Sequence, residues 1–86
     1  MNINDLIAIV KKKLTNKFVI EKINIEDKSF LHKNHSGHQE GKFHLKLMIG
    51  SNELKNLTRI ESNKRIYKVL DNEMREYIHS IQILIS

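Results

Sequence analysis

Three of the five histidines stand close together at His32, His35 and His38, with His44 and His79 completing the set, and the 86-residue chain has no cysteine. Imidazole is the commonest protein metal ligand and the side chain that titrates nearest neutral pH, so a histidine cluster of this spacing raises the question of what it coordinates. Three imidazoles and a water would make a mononuclear zinc site of the catalytic type. A loop containing Gly37 offers little preorganisation for such a site, and short polar loops also gather histidine without coordinating anything. The lack of cysteine excludes disulfides, a thiol nucleophile and any iron–sulfur or zinc site built on the chain's own thiolates. Sulfur ligation would have to come from a partner.

A second set of residues carries charge. Lys55, Arg59, Lys64, Arg65 and Lys68 fall in a predicted helical region with Glu61 as the one acid among them, and the formal net charge is +5. Such a stripe could lie along phosphates, with affinity dominated by counterion release, although a solvated basic face is its more ordinary meaning. The turn Gly50-Ser51-Asn52-Glu53 lacks the Gly-x-x-Gly clamp of nucleic-acid-binding KH modules. Few aromatic residues remain for base stacking once Phe18, Phe43 and Tyr77 are assigned to the core. No nucleophile elbow, phosphate-cradling glycine loop or HExxH appears, so an enzyme is not expected.

The elements that must position these groups follow from periodicity. Leu6, Ile7, Val10 and Leu14 have helical spacing, with Asn2 as N-cap, Asp5 in the first turn, Lys11 to Lys13 toward the C-terminal end and Asn16 as the stop. Phe18 to Glu26 is rich in β-branched and aromatic residues and reads as a strand. Lys28 to Gly41 loses apolar periodicity and forms the long loop of the domain, a length usually associated with function or disorder. Phe43, Leu45, Leu47 and Ile49 alternate against His44, Lys46 and Met48, which predicts a second strand, an antiparallel hairpin with the first, and His44 on the face opposite the main apolar side. After the turn at Gly50 to Asn52, Leu54, Leu57, Ile60, Ile66, Val69, Leu70, Met74 and Tyr77 predict two helices, or one broken near Asp71 and Asn72. Ile81, Ile83 and Ile85 predict a third strand beginning just after His79. The order α-β-β-α-α-β is an α+β layer, a three-stranded sheet with helices packed on one face. A chain this short holds one core, so residues 1–86 are expected to be a single domain. No apolar run approaches the ~20 residues needed to span a bilayer, and Met1 to Asp5 is acidic-polar rather than a basic leader, so the expected location is the cytoplasm.

The residues resemble the BolA-like family, in element order over nearly the whole chain and most strongly from Asp27 onward. Asp27-Lys28-Ser29-Phe30-Leu31-His32 looks like that family's acidic, serine-containing entry to a His or Cys loop. His32-Lys33-Asn34-His35-Ser36-Gly37 is similar to the HxGHxG form of the loop, and Phe43-His44-Leu45 sits where the family has a small residue, His and Phe. Ile78-His79-Ser80-Ile81 resembles the closing V/I-H-A-L signature. One departure is clear: the Arg-His-Arg of the family's long helix reads Ser62-Asn63-Lys64 here, which removes that histidine.

The resemblance implies a class II KH-like fold and two candidate activities. In the first, the protein partners a monothiol glutaredoxin in iron–sulfur cluster assembly, transfer or iron sensing. His79 and a loop histidine, His32 by position, with His35, His38 and His44 as alternates, would ligate one iron of a shared [2Fe-2S] cluster. The glutaredoxin cysteine and glutathione would ligate the other. No cofactor would be held by this chain alone, and the apo protein would be a monomer. Imidazole in place of thiolate makes a cluster less negative and raises its potential. In the second, the protein is a DNA-binding transcriptional regulator that uses Lys55, Arg59, Lys64, Arg65 and Lys68. On either activity, Asp27 and Ser29 most simply fix the start of the loop through side-chain to backbone bonds.

Overall fold

A computed structural model describes residues 1–29 and 42–86. The loop histidines His32, His35 and His38 therefore lie outside the described residues. Among the described residues seven elements follow one another: α1 (Ile3–Lys17), β1 (Lys22–Asp27), β2 (Phe43–Gly50), α2 (Asn52–Lys55), α3 (Arg59–Val69), α4 (Asp71–Glu76) and β3 (Ile78–Ile85). This is the expected α+β layer with a short additional helix, α2, between β2 and the long helix. Among the described residues no helix is long and apolar enough to cross a membrane.

Helices α1, α2 and α3 begin where the sequence supplies a side-chain acceptor, whereas α4 follows Leu70 without one. The Asn2 side chain accepts from the Asp5 backbone N–H at 2.8 Å, Ser51 from Leu54 and Thr58 from Glu61, each satisfying a donor that the first turn leaves without an intrahelical partner. Ser51 and Thr58 explain why the expected pair of helices becomes three pieces, since each starts a new helix. The break between α3 and α4 falls at Leu70, one residue before the expected Asp71. Helix α1 runs one residue past Asn16 and is closed by Phe18, whose N–H bonds the Leu14 carbonyl. Phe18 to Glu21 are therefore not strand, contrary to expectation. Phe18 caps the helix and is buried in the core, and β1 starts only at Lys22.

The sheet has the order β1-β2-β3, with β1 antiparallel and β3 parallel to the central β2. Its inner face presents Leu45, Leu47 and Ile49 to Leu6, Val10 and Leu14 of α1, Leu54 of α2, and Ile66 and Leu70 of the α3 region. Ile78 and Ile83 complete the buried set, while Leu57, Val69 and Met74 pack at its margin. Ile60, which shares the helical spacing, is instead 81% exposed. Phe43 pairs with Ile78 and Leu45 with Ile81, two residues apart on β2 but three apart on β3. The extra residue is His79, a β-bulge that lets both Ile78 and Ile81 face inward. Strand β3 accordingly begins before His79, not after it.

One charged side chain is buried with the apolar set. Glu73 of α4 is 3% exposed and accepts from Lys13 Nζ of α1 at 2.7 Å, a tie between the first helix and the last. Its other oxygen, Oε1, is buried without a hydrogen-bond partner. Burial pushes the carboxyl up, but the bond and charge of Lys13 and the amides around it outweigh this and hold its pKa below the ordinary 4.5. The stabilisation from this group is thus complete above pH 4.5 and lost as pH falls below it through the lowered value. Urea melts between pH 7 and 3 should show a steeper acid loss for the native chain than for Glu73→Gln. Lys13→Met at neutral pH should cost about 1 kcal/mol, because Lys13 is itself 40% exposed and solvent screens the pair.

Candidate functional site

The outer face of the sheet, away from the helices, gathers the histidine chemistry at one end. His44 follows the alternation of β2 onto this face as expected, yet it is 6% exposed and buried. The β3 bulge turns both His79 and Ser80 out beside it, whereas unbroken alternation would put one of them inside. His44 Nδ1 and Ser80 Oγ lie 2.6 Å apart, and the His44 and His79 rings are tilted against each other with centroids 4.9 Å apart. His79 is exposed, and its side chain makes no hydrogen bond among the described residues. A buried imidazole held in place thus lies against an exposed one open to a partner.

The entry to the histidine loop is tied to the same spot. Lys28 N–H bonds the His44 carbonyl at 2.7 Å, and the Ser29 hydroxyl accepts from the His44 N–H at 3.0 Å. Asp27 Oδ1 accepts from the Ser29 N–H at 2.9 Å, so Asp27 and Ser29 do anchor the start of the loop through side-chain to backbone bonds. At the exit, Phe43 N–H bonds the Tyr77 carbonyl at 2.9 Å, two residues before His79. Both ends of the loop are therefore fastened beside the His44–His79 pair. Among the described residues no three His, Cys, Asp or Glu side chains come together as a metal site. Two imidazoles, one of them exposed, suit a metal group completed by other donors.

The five cations of the stripe divide. Lys55 on α2 and Arg59 at the start of α3 border a depression beside the C-terminal half of β3, whose lining includes Asn63, the residue that replaces the family histidine. Arg65 and Lys68 border a different one with Lys17 and Phe18 at the end of α1. Lys64 is exposed and one turn from Lys68, and Arg65 bonds Glu61 at 3.1 Å. The larger basic cluster is thus Lys17, Lys64, Arg65 and Lys68. Lys17 escapes a reading of the helix by itself, because only the packing of α1 on α3 brings it there. Ser80 was equally invisible as a functional residue. Its partner His44 is 36 positions away in sequence and meets it only across the parallel ladder.

Comparison with known proteins agrees with this fold. The model of the family described as "BolA-like protein" matches residues 14–86. A relative from Haemophilus influenzae, described as the DNA-binding transcriptional regulator BolA, is 29% identical over 75 residues, covering 87% of this chain and 70% of the relative. Among solved structures, the BolA domain of SufE1 from Arabidopsis thaliana superposes with a TM-score of 0.77 at 23% identity, over 92% of this chain and 87% of that one. BolA1 from the same plant gives 0.75 at 21% identity, with the same coverages. BolA1 from Mus musculus gives 0.72 at 16%, over 90% of this chain and 60% of that one. The protein belongs to the BolA-like family.

Proposed function

We propose that this BolA-like protein is a cytoplasmic binding partner, not an enzyme, that shares a [2Fe-2S] cluster with a monothiol glutaredoxin, and that His79 is its principal iron ligand. The observation that supports this most is the bulge, which sets an exposed imidazole at the sheet end where both ends of the histidine loop are anchored. His32, three residues beyond Ser29 in sequence, is the first choice for the second ligand, with His35, His38 and His44 as alternates. A chain without cysteine can donate imidazoles but needs the glutaredoxin cysteine and glutathione for the remaining iron. When bound, the cluster supplies redox and iron-sensing chemistry. The chain's own residues orient the imidazoles, Ser80 through His44 and Ser29 through the backbone of β2. The apo protein is proposed to be a monomer.

DNA-linked regulation is the second reading, favoured by the description of the Haemophilus influenzae relative and by the Lys17, Lys64, Arg65 and Lys68 cluster. Affinity there would rest on phosphate contacts and fall steeply with salt.

The two readings separate in one set of measurements. Apo protein is mixed with cluster-loaded monothiol glutaredoxin, and the visible absorption and circular dichroism are followed. His79→Ala should abolish the ligation change while far-ultraviolet dichroism stays native, and Lys64→Ala with Arg65→Ala should leave the change in place. A salt-dependent DNA complex with a sequence preference, lost on the lysine and arginine substitutions and indifferent to His79→Ala, would reverse the ranking. Ser80→Ala should also shift the ring-nitrogen resonances of His44 in the apo protein with little loss of stability, about 1 kcal/mol at most. Unchanged resonances would mean that Ser80 does not position the ring.

A further inference from the structure

The two outer strands of the sheet end it in different ways. Strand β1 carries Lys22, Glu26 and Asp27 within six residues, charges of the kind that discourage another strand from pairing. Strand β3 reads Ile-His-Ser-Ile-Gln-Ile-Leu-Ile, with no Lys, Arg, Asp, Glu or Pro, and its bulge lies only at the His79 end. Ser86 gives its N–H to Ile49 and accepts from Ser51, so alternation along the parallel ladder turns the N–H and C=O of Ile81, Ile83 and Ile85 away from β2. Among the described residues nothing meets these outward groups. Beside them, on the helix side, is an open cavity of about 360 Å³, bordered by Leu54, Leu57, Ile83, Lys55, Arg59 and Asn63.

We propose that β3 is a docking edge for an extended polypeptide segment that adds a fourth strand to the sheet. The period of the outward groups is the period of a strand, so the backbone of the segment bonds Ile81, Ile83 and Ile85. Its alternate side chains on the helix side are apolar and enter the cavity against Leu54 and Leu57. Its flanking residues are acidic, because Lys55 and Arg59 border the cavity and no carboxylate does. Single-stranded nucleic acid fits less well, since no aromatic side chain borders the cavity to stack on a base. A second copy of this chain fits less well too, since its own β3 carries no carboxylate to meet the two cations. The edge runs away from the His79 bulge, so a segment bound here leaves the imidazole pair open to a different partner.

The test uses the full chain, isotope-labelled, and a blocked decapeptide of alternating threonine and valine with two glutamates at each end. Binding should slow hydrogen exchange at the amides of Ile81, Ile83 and Ile85 and leave those of β1 unchanged. Lys55→Glu with Arg59→Glu, both exposed and outside the core, should weaken this peptide about tenfold and favour its lysine-ended counterpart. Protection confined to β1, or equal binding of both peptides by the native chain, would overturn the proposal. So would protection of β3 that grows with protein concentration alone, which would make the occupant a second copy. Perturbation of the same amides by a thymidine decamer but not by the peptide would equally overturn it.

Discussion

The extra residue in β3 is the constraint on which the rest of the site depends. Phe43 and Leu45 sit two positions apart on β2 and both point at the core, while their partners Ile78 and Ile81 sit three apart and must do the same. A regular ladder cannot satisfy both, because side chains alternate strictly and a one-residue slip would turn the isoleucines of β3 outward. Burying an isoleucine stabilises by roughly 2 kcal/mol, so keeping the register of Ile81, Ile83 and Ile85 together with Ile78 outweighs the disruption of one ladder position. The residue expelled by that compromise is His79. Its exposure is therefore a by-product of core packing, held in place by every apolar contact that β3 makes.

Ser80 and Ser29 decide what the bulge leaves behind. An imidazole on the outer face of a central strand that is 6% exposed needs partners for its polar atoms, and His44 finds Ser80 for its ring and Ser29 for its backbone. The family signature that the closing residues resemble has alanine where this chain has Ser80. An alanine there could not hold His44 Nδ1, so the ring would lose this tie across the parallel ladder. The serine couples two strands through a side chain and fixes the ring against which His79 lies.

Much of this was legible in the chain before any coordinates. Asn2 as a cap, the alternation of β2 and the stop near Asp71 are local signals, each read within a few residues, and the structure keeps them. What could not be read is non-local. A bulge is a mismatch between two strands, and periodicity in β3 alone sees only Ile81, Ile83 and Ile85, which is why the strand was expected to begin two residues late. Phe18 is β-prone by type and keeps an extended backbone, yet it closes α1 instead of joining the sheet, because its N–H bonds the Leu14 carbonyl and its side chain enters the core. Glu73 looks like a solvent residue until Lys13, 60 positions away, is brought against it.

The division of the basic stripe follows from the same logic. On a uniform helix, five cations near one another would act as a single field, but Lys55 and Arg59 flank the break between α2 and α3, while Arg65 and Lys68 lie further along α3. Lys55 and Arg59 are left facing the end of β3, while Arg65 and Lys68 are turned toward Lys17 at the end of α1. Counting charge along the sequence therefore overstates any one basic surface and misses Lys17. The histidine pair lies on the opposite face of the sheet from the helices that carry both groups. Imidazole and cationic chemistry are thus assigned to separate surfaces, so a partner held at one need not exclude a partner held at the other.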